Sequence, residues 1–515
     1  MKLLKETRKG DWKRRLEKET GMRKFTTEEI AKATNGKTTG HADITSIVID
    51  DREVIENSLF IAIKGERLDG HSFVKSAVKA GAVAVMVHKD IEDCKVPVIR
   101  VEDTTKAFLD IACYYRNSFD IPLVALTGSV GKTTTKEMIW CVLNAKYNTH
   151  KTKGNLNNEI GLPKVLLSME ETHTAAVIEM GMNHKGEIST LSKTALPNMA
   201  VITNIGVSHI ENLGSREEIL SAKLEILDGL KTGSTVFLNA DDDMLNMVIS
   251  GKVEKIECNN GQTKNQKLDG LQFDNGLQFN NGLQFDKSKL NNFKIKTFGI
   301  KNEADVTATD IEYLDESTKF IVNVNAKEKF EVEIPTTGEH NVLNALAAIS
   351  VGLRLDIDTK DITKALLNYS PAEMRESIEK IGDITLIKDC YNASPDSVKA
   401  LSNTLKIKGR DGQRKIAVIA DMLELGEYSE KAHRDAGVYI AQAKVDILFT
   451  YGKLSKFTAD SARKNGVEQV FEFNDKEKLA DELLKVLHPG DVVAFKGSRG
   501  MKLEDVIDVV IRGIE

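Results

Sequence analysis

Short apolar runs recur along most of the chain, each closed by glycine or a polar cluster and followed by a stretch with helical spacing. That alternation predicts parallel strands with helical crossovers, the α/β class. From Phe25 to about Asp120 it predicts strands over 57–64, 83–87 and 96–101, with helices over 72–80 and 106–116. From Ile121 to about Tyr369 it predicts strands over 123–127, 175–178, 199–203 and 293–299, and a helix over 338–350. From about Ser370 to Glu515 it predicts strands over 384–388, 415–420, 446–450, 468–473 and 491–495. The expected organisation is three domains: a small N-terminal α/β unit at 25–120, a central unit with a parallel sheet at 121–369, and a second doubly wound sheet at 370–515.

Two stretches break the rhythm. Residues 1–24 carry ten Lys or Arg against four Asp or Glu with almost no apolar periodicity, and read as a basic, solvated leader. Between Gly251 and Phe293 the chain turns rich in Asn, Asp, Gly, Gln and Lys, and Leu-Gln-Phe recurs at 271–273, 277–279 and 283–285. Leu and Phe two apart share one face of an extended segment, so a small meander is possible, but three short repeats cannot stand alone. About 252–292 reads as a surface insertion without catalytic role.

The chemistry concentrates in Leu123 to Met138, LVALTGSVGKTTTKEM. An apolar strand ends in Thr127, a loop follows with Gly128, Ser129 and Gly131, and Lys132, Thr133 and Thr134 open a helix. Loop N–H groups and the positive end of a helix cradle polyphosphate, a lysine reaches the terminal phosphates, and a hydroxyl ligates Mg²⁺. The pattern is a shorter form of GxxxxGK[ST], so strand and helix context carries much of the inference. Glu179 and His209 also follow apolar strands, and in parallel sheets the functional crevice lies beyond the carboxyl ends of the strands. Three segments can therefore converge on one site, although Glu179 alone could be a surface carboxylate and His209 a capping or core histidine. On periodicity, Lys223 reads as one partner of a surface charge pair. Asn341 and Asn344 lie three apart on one helical face, able to read a purine or ribose, or to cap the helix start. In the third unit Asp389, Tyr391, Asn392, Asp421, Glu424 and the 496–499 segment gather at strand ends, which suits a domain closing over a nucleotide. In the first unit Asp50, Asp51, Arg52, Lys64, Gly65, Asp69 and His71 are explicable by turn chemistry alone.

Composition narrows the classes. A chain of 515 residues with 41% hydrophobic and 29% charged residues has material for several cores, and its length suits about three domains. The net charge of −6 argues against nucleic acid as the main partner. No apolar run approaches a membrane span or a signal peptide. Five scattered cysteines (94, 113, 141, 258 and 390) without a CxxC pair read as reduced thiols in a cytoplasmic protein.

TGSVGKTTTKEM, KGNLNNEIGLP, EMGMNHKGEI, ITNIGVSHIENLG, SAKLEIL, GEHNVLNALAA, DCYNASPDS, DMLELGEYSEKAH and FKGSRGM occur in this order over nearly the whole chain from residue 25. Together they resemble the Mur ligase family, which forms amide bonds in the cytoplasmic steps of peptidoglycan synthesis. The resemblance implies a UDP-sugar domain, a central ATPase and a C-terminal Rossmann-like domain for the incoming amino compound. It is strongest to the member that joins D-alanyl-D-alanine to UDP-N-acetylmuramoyl-tripeptide, acting as a monomer. It implies Lys132 and Thr133 at the β- and γ-phosphates of ATP and at Mg²⁺, with Glu179 and His209 at the metal. Lys223 would be carbamoylated and serve the same metal. Asn341 and Asn344 would meet the adenine end, and Arg375 and Asp389 would reach phosphate and ribose. Asn155, Asn157, Asn158, Tyr391, Asn392, Lys496 and Arg499 would face substrate, as would Asp50, Arg52, Lys64, Gly65, Asp69 and His71.

Four positions depart from the family pattern: Asp51 stands for a serine between Asp50 and Arg52, Ala420 for a glycine, and in Lys388-Asp389-Cys390, which stands for Asp-Asp-Ser, both Lys388 and Cys390 differ. An extra carboxylate at Asp51 would be unhelpful beside a pyrophosphate. The relative that adds the third stem residue carries Asp-Asn-Pro-Arg in its third domain, a tetrapeptide missing here. Folylpolyglutamate synthetase lacks a unit like Asn57 to His71. A nucleotide-binding regulator without catalysis would be free to lose Glu179, His209 and Lys223, yet all three are present.

Overall fold

The computed structural model describes residues 22–250, 287–371, 374–409 and 412–515. In the first unit the strands Ser46–Val48, Ser58–Ile61, Ala82–Val87 and Val98–Arg100 pair in parallel, and Lys37–Thr38 closes one edge antiparallel. Helix Thr27–Ala33 starts in a capping box in which Thr26 and Glu29 satisfy each other's backbone N–H groups. Helix Thr104–Arg116 is capped by Asp103 and carries the unit onto its neighbour. The Tyr115 hydroxyl donates to the Met169 carbonyl at 2.5 Å, and Arg116 Nε donates to the Ala195 carbonyl at 3.0 Å. One continuous apolar core runs across that junction, so the two units are joined by packing as well as by chain.

The central sheet has nine strands. Thr149–Lys151, Ala175–Glu179, Leu123–Thr127, Met199–Ile202, Thr235–Asn239, Lys294–Gly299 and Val306–Tyr313 run in parallel in that spatial order. Leu123–Thr127 sits between Ala175–Glu179 and Met199–Ile202, so crossovers leave it to both sides and open a crevice at its carboxyl end. The third unit is a six-stranded sheet in the order Ser377–Ile381, Ile384–Lys388, Val492–Lys496, Lys415–Ala420, Ile447–Tyr451, Gln469–Phe473. It is parallel apart from its first, antiparallel strand.

The parallel central sheet expected from the sequence carries an antiparallel extension at one edge. Val306–Tyr313, Thr318–Val324 and Glu328–Ile334 form an antiparallel meander. Buried and exposed positions alternate along much of these three strands, as in half-covered antiparallel sheets, whereas the continuous apolar runs belong to strands buried on both faces. The Ser377–Ile381 edge strand was missed for the same reason; its burial also alternates. The Leu-Gln-Phe repeats and most of the basic leader lie outside the described residues. At the leader's end Arg23 pairs with Glu29 at 2.8 Å, and Lys24 with Asp43 at 2.7 Å.

Candidate active site

The loop after Leu123–Thr127 is held from its neighbour. Asn204, just past Met199–Ile202, accepts from the N–H groups of Ser129 (3.1 Å) and Val130 (2.9 Å) through one side-chain oxygen, and its amide donates to the Val130 carbonyl (2.9 Å). Thr203 donates to the same carbonyl at 2.8 Å, and Ser129 Oγ accepts from the Gly206 N–H. A Cβ on Gly128 would lie 1.9 Å from Thr203 Oγ1, so this strand-end contact admits no side chain. Gly131 starts helix Lys132–Asn144 with φ +79°, a conformation that glycine adopts without penalty. The Lys132 ammonium donates back to the loop's own Gly128 carbonyl at 2.8 Å.

Glu179 ends its strand at 1% exposure, which removes the surface-carboxylate alternative. Its Oε2 accepts from the Thr133 hydroxyl at 3.0 Å and its Oε1 from Asn157 at 2.9 Å. Lys136, one helical turn beyond Lys132 and equally buried, stands 3.8 Å from Glu179 and donates to the Thr152 carbonyl. His209 adopts φ +63° ahead of the Ile210–Leu213 turn and makes no cap hydrogen bond. Its Nδ1 lies 3.1 Å from Glu424 of the third unit without hydrogen-bond alignment. Burial, then the nearby Lys132 and Lys223 charges, push its pKa down to about 4, so the ring is neutral at pH 7.

Lys223 is 2% exposed, and the charge-pair reading of it fails. Glu218 pairs with Lys185 instead. Among the described residues Lys223 has no carboxylate partner; burial, and then the Lys132 charge, hold its pKa well below the usual lysine range. Lys132 is shifted the same way by burial, with Glu179 opposing and Arg375 adding to the shift. The cleft wall thus carries Lys132, Arg375 and Lys496 among the carboxylates Glu179, Glu187, Glu376, Asp389 and Asp396.

Asn341 and Asn344 do not cap their helix, Glu339–Arg354, which starts at Gly338 without a side-chain cap. Asn344 donates to Asn341 Oδ1 at 3.3 Å and accepts from Thr135 at 2.9 Å. Asn341 donates to Thr336, Thr337 and Glu376. From the third unit, Arg375 stacks 4.0 Å over the Tyr391 ring, and Lys496 is ion-paired to Asp389 at 2.6 Å. Lys496 also donates to the Asn392 carbonyl at 2.8 Å.

One cleft of about 400 Å³ collects these groups. Its wall includes Ser129, Gly131, Lys132, Thr134, Asn155, Asn157, Asn158, Glu179, His209, Asn341, Asn344, Arg375, Asp389, Tyr391, Asn392 and Lys496. Gly128, Thr133 and Lys223 are not on that wall, though Thr133 reaches it through Glu179. Arg499 borders an adjoining cavity of about 250 Å³ that shares Asn155, Tyr391 and Asn392 with the first. The first-unit residues Asp50, Arg52, Lys64, Gly65, Asp69 and His71 line neither cavity. Arg52 pairs with Asp50 at 2.6 Å and lowers its pKa to about 2, and Asp69 ties His71 to Lys89. Asp51 points into local structure, accepting from the Ser76 hydroxyl at 2.5 Å, which accounts for a carboxylate at that position. Sequence reasoning missed Asn204, Lys136, His340 and Glu376. Asn204 alone had a signal, being a polar residue directly after an apolar strand beside the phosphate loop.

Three family models match the chain: the Mur ligase family catalytic domain over 43–116, the Mur ligase middle domain over 126–280 and 262–352, and the Mur ligase glutamate ligase domain over 375–499. The fold and site define an ATP-dependent amide ligase of the Mur class, and the chain belongs to the Mur ligase family. It is 38% identical over 475 residues to the UDP-N-acetylmuramoyl-tripeptide–D-alanyl-D-alanine ligase of Bacillus subtilis (strain 168), covering 91% of this chain and 93% of that one. Among solved structures it is similar to MurF from Acinetobacter baumannii, with a TM-score of 0.83, 29% identity, and coverage of 96% of this chain and 100% of that one. It is also similar to MurF ligase from Thermotoga maritima in complex with ADP, with a TM-score of 0.76, 26% identity, and coverage of 91% and 97%.

Proposed function

We propose that this chain joins D-alanyl-D-alanine to UDP-N-acetylmuramoyl-tripeptide with conversion of ATP to ADP and phosphate, as the names of its relatives suggest. The observation that carries the reading is the single cleft into which the phosphate loop, Glu179, the Asn341–Asn344 pair and the third unit's Arg375, Asp389 and Lys496 all project. Domain limits at 25–120, 121–369 and 370–515 belong to the same reading. One chain furnishes the whole cleft, so a monomer suffices.

A carboxylate is a poor electrophile, so amide formation needs it activated. The tripeptide carboxylate oxygen attacks the γ-phosphorus of ATP, the bond to the β-phosphate oxygen breaks, and ADP departs, leaving an acyl phosphate. Lys132 and Arg375 offset negative charge on the transferred group. The dipeptide amine, its ammonium proton lost, then attacks the acyl carbon, and phosphate leaves from the tetrahedral intermediate. The cleft lies between the central and third units, which excludes water from an acyl phosphate that would otherwise hydrolyse.

The residues fit Mg²⁺. Thr133 and Glu179 place two hard oxygens 3.0 Å apart beside the phosphate loop, and a magnesium ion takes one or two carboxylates plus substrate phosphates. Bound Mg²⁺ would supply charge neutralisation on the β- and γ-phosphates. Thr133, Glu179 and His209 would hold it, together with Lys223 if carbamoylated. Burial of this lysine, without a carboxylate partner among the described residues, favours its uncharged amine, the form that adds to CO₂, and its carbamate would provide the second carboxylate.

The test is ADP and phosphate release by the purified full chain with Mg-ATP, UDP-MurNAc-tripeptide and D-Ala-D-Ala, each omitted in turn and the product weighed by mass spectrometry. Turnover requiring all three and yielding the pentapeptide is expected. No turnover with either the lysine or the diaminopimelate tripeptide, despite ATP binding, sinks the reading.

A further inference from the structure

The chain passes from the central unit to the third through Met374, Arg375 and Glu376, directly before strand Ser377–Ile381. Two of these three residues hold strained backbone, Met374 at φ +57° and Glu376 at φ +52°. Non-glycine residues keep such conformations only where surrounding contacts enforce them. At Glu376 the contacts are plain. Its Oε2 accepts from His340 Nε2 at 2.8 Å and from Asn341 Nδ2 at 2.8 Å, both on the first turn of Glu339–Arg354 in the central unit. Its Oε1 accepts from the Thr404 hydroxyl on helix Pro395–Lys408 of the third unit. One carboxylate thus clasps two units.

Its neighbour Arg375 is differently placed. Among the described residues the guanidinium has no carboxylate partner; it rests on the Tyr391 ring and lines the cleft with Lys132. A long, unpaired side chain keeps one position only if its backbone is fixed.

We propose that Glu376 is a positioning residue: by clasping His340, Asn341 and Thr404 it locks the strained hinge peptide so that Arg375 is held at the phosphate end of the cleft. The same carboxylate links that arginine to Asn341, so the two ends of the nucleotide site are registered through one group. The inference rests on the ligase reading above and adds to it a residue that does not touch substrate. The ion pair suits the role. Burial opposes the charged form of each, yet Glu376 raises the pKa of His340 above the usual histidine value and His340 lowers that of Glu376, so each favours the other's charged form.

The test is a double-mutant cycle on the full chain, read as ADP release with all three substrates. Arg375→Ala and Glu376→Ala are each expected to lower kcat, by about 100-fold and at least about 10-fold, with KM for the UDP-tripeptide and for D-Ala-D-Ala within about 3-fold of wild type. If Glu376 acts through Arg375, Arg375→Ala/Glu376→Ala loses no more than Arg375→Ala alone, within about 3-fold. Losses that multiply, or a Glu376→Ala enzyme with wild-type kcat, overturn the proposal. Glu376→Gln, which keeps the side-chain size and part of the hydrogen bonding, carries the cycle should the alanine variant not fold. A wild-type enzyme without turnover would instead fail the ligase reading itself, so the two failures are distinguishable.

Discussion

At the scale of single residues, burial decides what the lysines can do. Lys132 and Lys136 each have a carbonyl acceptor, and Lys136 also an ion-pair partner in Glu179, whereas among the described residues Lys223 has neither an acceptor nor a carboxylate partner. Removing an ammonium from water costs several kcal/mol unless it is paired, so burial shifts Lys223 toward the uncharged amine. That is the basis for a carbamate. Enzyme stripped of CO₂ is expected to lose activity and regain it with bicarbonate. Protein equilibrated with ¹³C-bicarbonate should show a carbamate carbon by NMR that Lys223→Ala lacks, and Lys223→Ala should lose about 100-fold or more in kcat. Activity indifferent to CO₂, with no labelled carbon, would leave Lys223 a structural lysine.

Among the elements, the phosphate loop depends on the strand beside it. Five loop groups meet Thr203, Asn204 or Gly206: the Ser129 and Val130 N–H groups, the Val130 carbonyl, the Ser129 hydroxyl and the Gly128 Cα. The consecutive Ser129 and Val130 N–H groups both point at Asn204, which shapes the loop whose other N–H groups can face phosphate. Asn204→Ala removes three hydrogen bonds, two of them to buried loop N–H groups, at about 1 kcal/mol or more each. The expected outcome is ADP affinity weakened at least 10-fold by calorimetric titration, with the melting temperature lowered. Unchanged affinity would mean that the loop is shaped by Gly128 and Gly131 alone. Gly128 also explains why the motif tolerates no side chain there: the constraint comes from Thr203 across the sheet.

Across the whole molecule, the first and central units are joined by apolar packing and by the Tyr115 and Arg116 hydrogen bonds, and the same apolar cluster continues into the third unit through residues such as Ala393, Val398 and Leu401, beside the polar cleft. A polar cleft at that second junction suits a surface that admits substrates. None of the site residues named above falls within 251–286 of the sequence. A chain shortened by removal of 265–286 is therefore expected to keep kcat within about 2-fold in the same ADP-release assay; a loss of more than 10-fold would give the repeats a part in turnover. Among the described residues no helix is long and apolar enough to cross a membrane.

Much of this was legible in the sequence, because the pattern that specifies parallel strands is local. Continuous apolar runs closed by polar residues placed strands in each of the three units, with Ile384–Lys388 and Lys415–Ala420 at their expected bounds, though not Ser46–Val48, Thr149–Lys151 or the buried Thr235–Asn239, and the rule of strand carboxyl ends singled out Lys132, Glu179 and His209. The antiparallel meander escaped because its strands alternate, and alternation is read only by someone looking for a half-covered sheet. What no local pattern carries is partnership across the chain. Whether Lys223 meets a carboxylate, whether Asn341 caps a helix or joins a network, and which groups pin Arg375 are settled by residues far away in sequence. Glu376 and Thr404 are 28 positions apart, and Asn204 and Ser129 are 75 apart. The sequence alone determined the elements and the chemistry available at their ends; the tertiary structure decided which of those groups are buried and which are paired, because burial and pairing set their charge states.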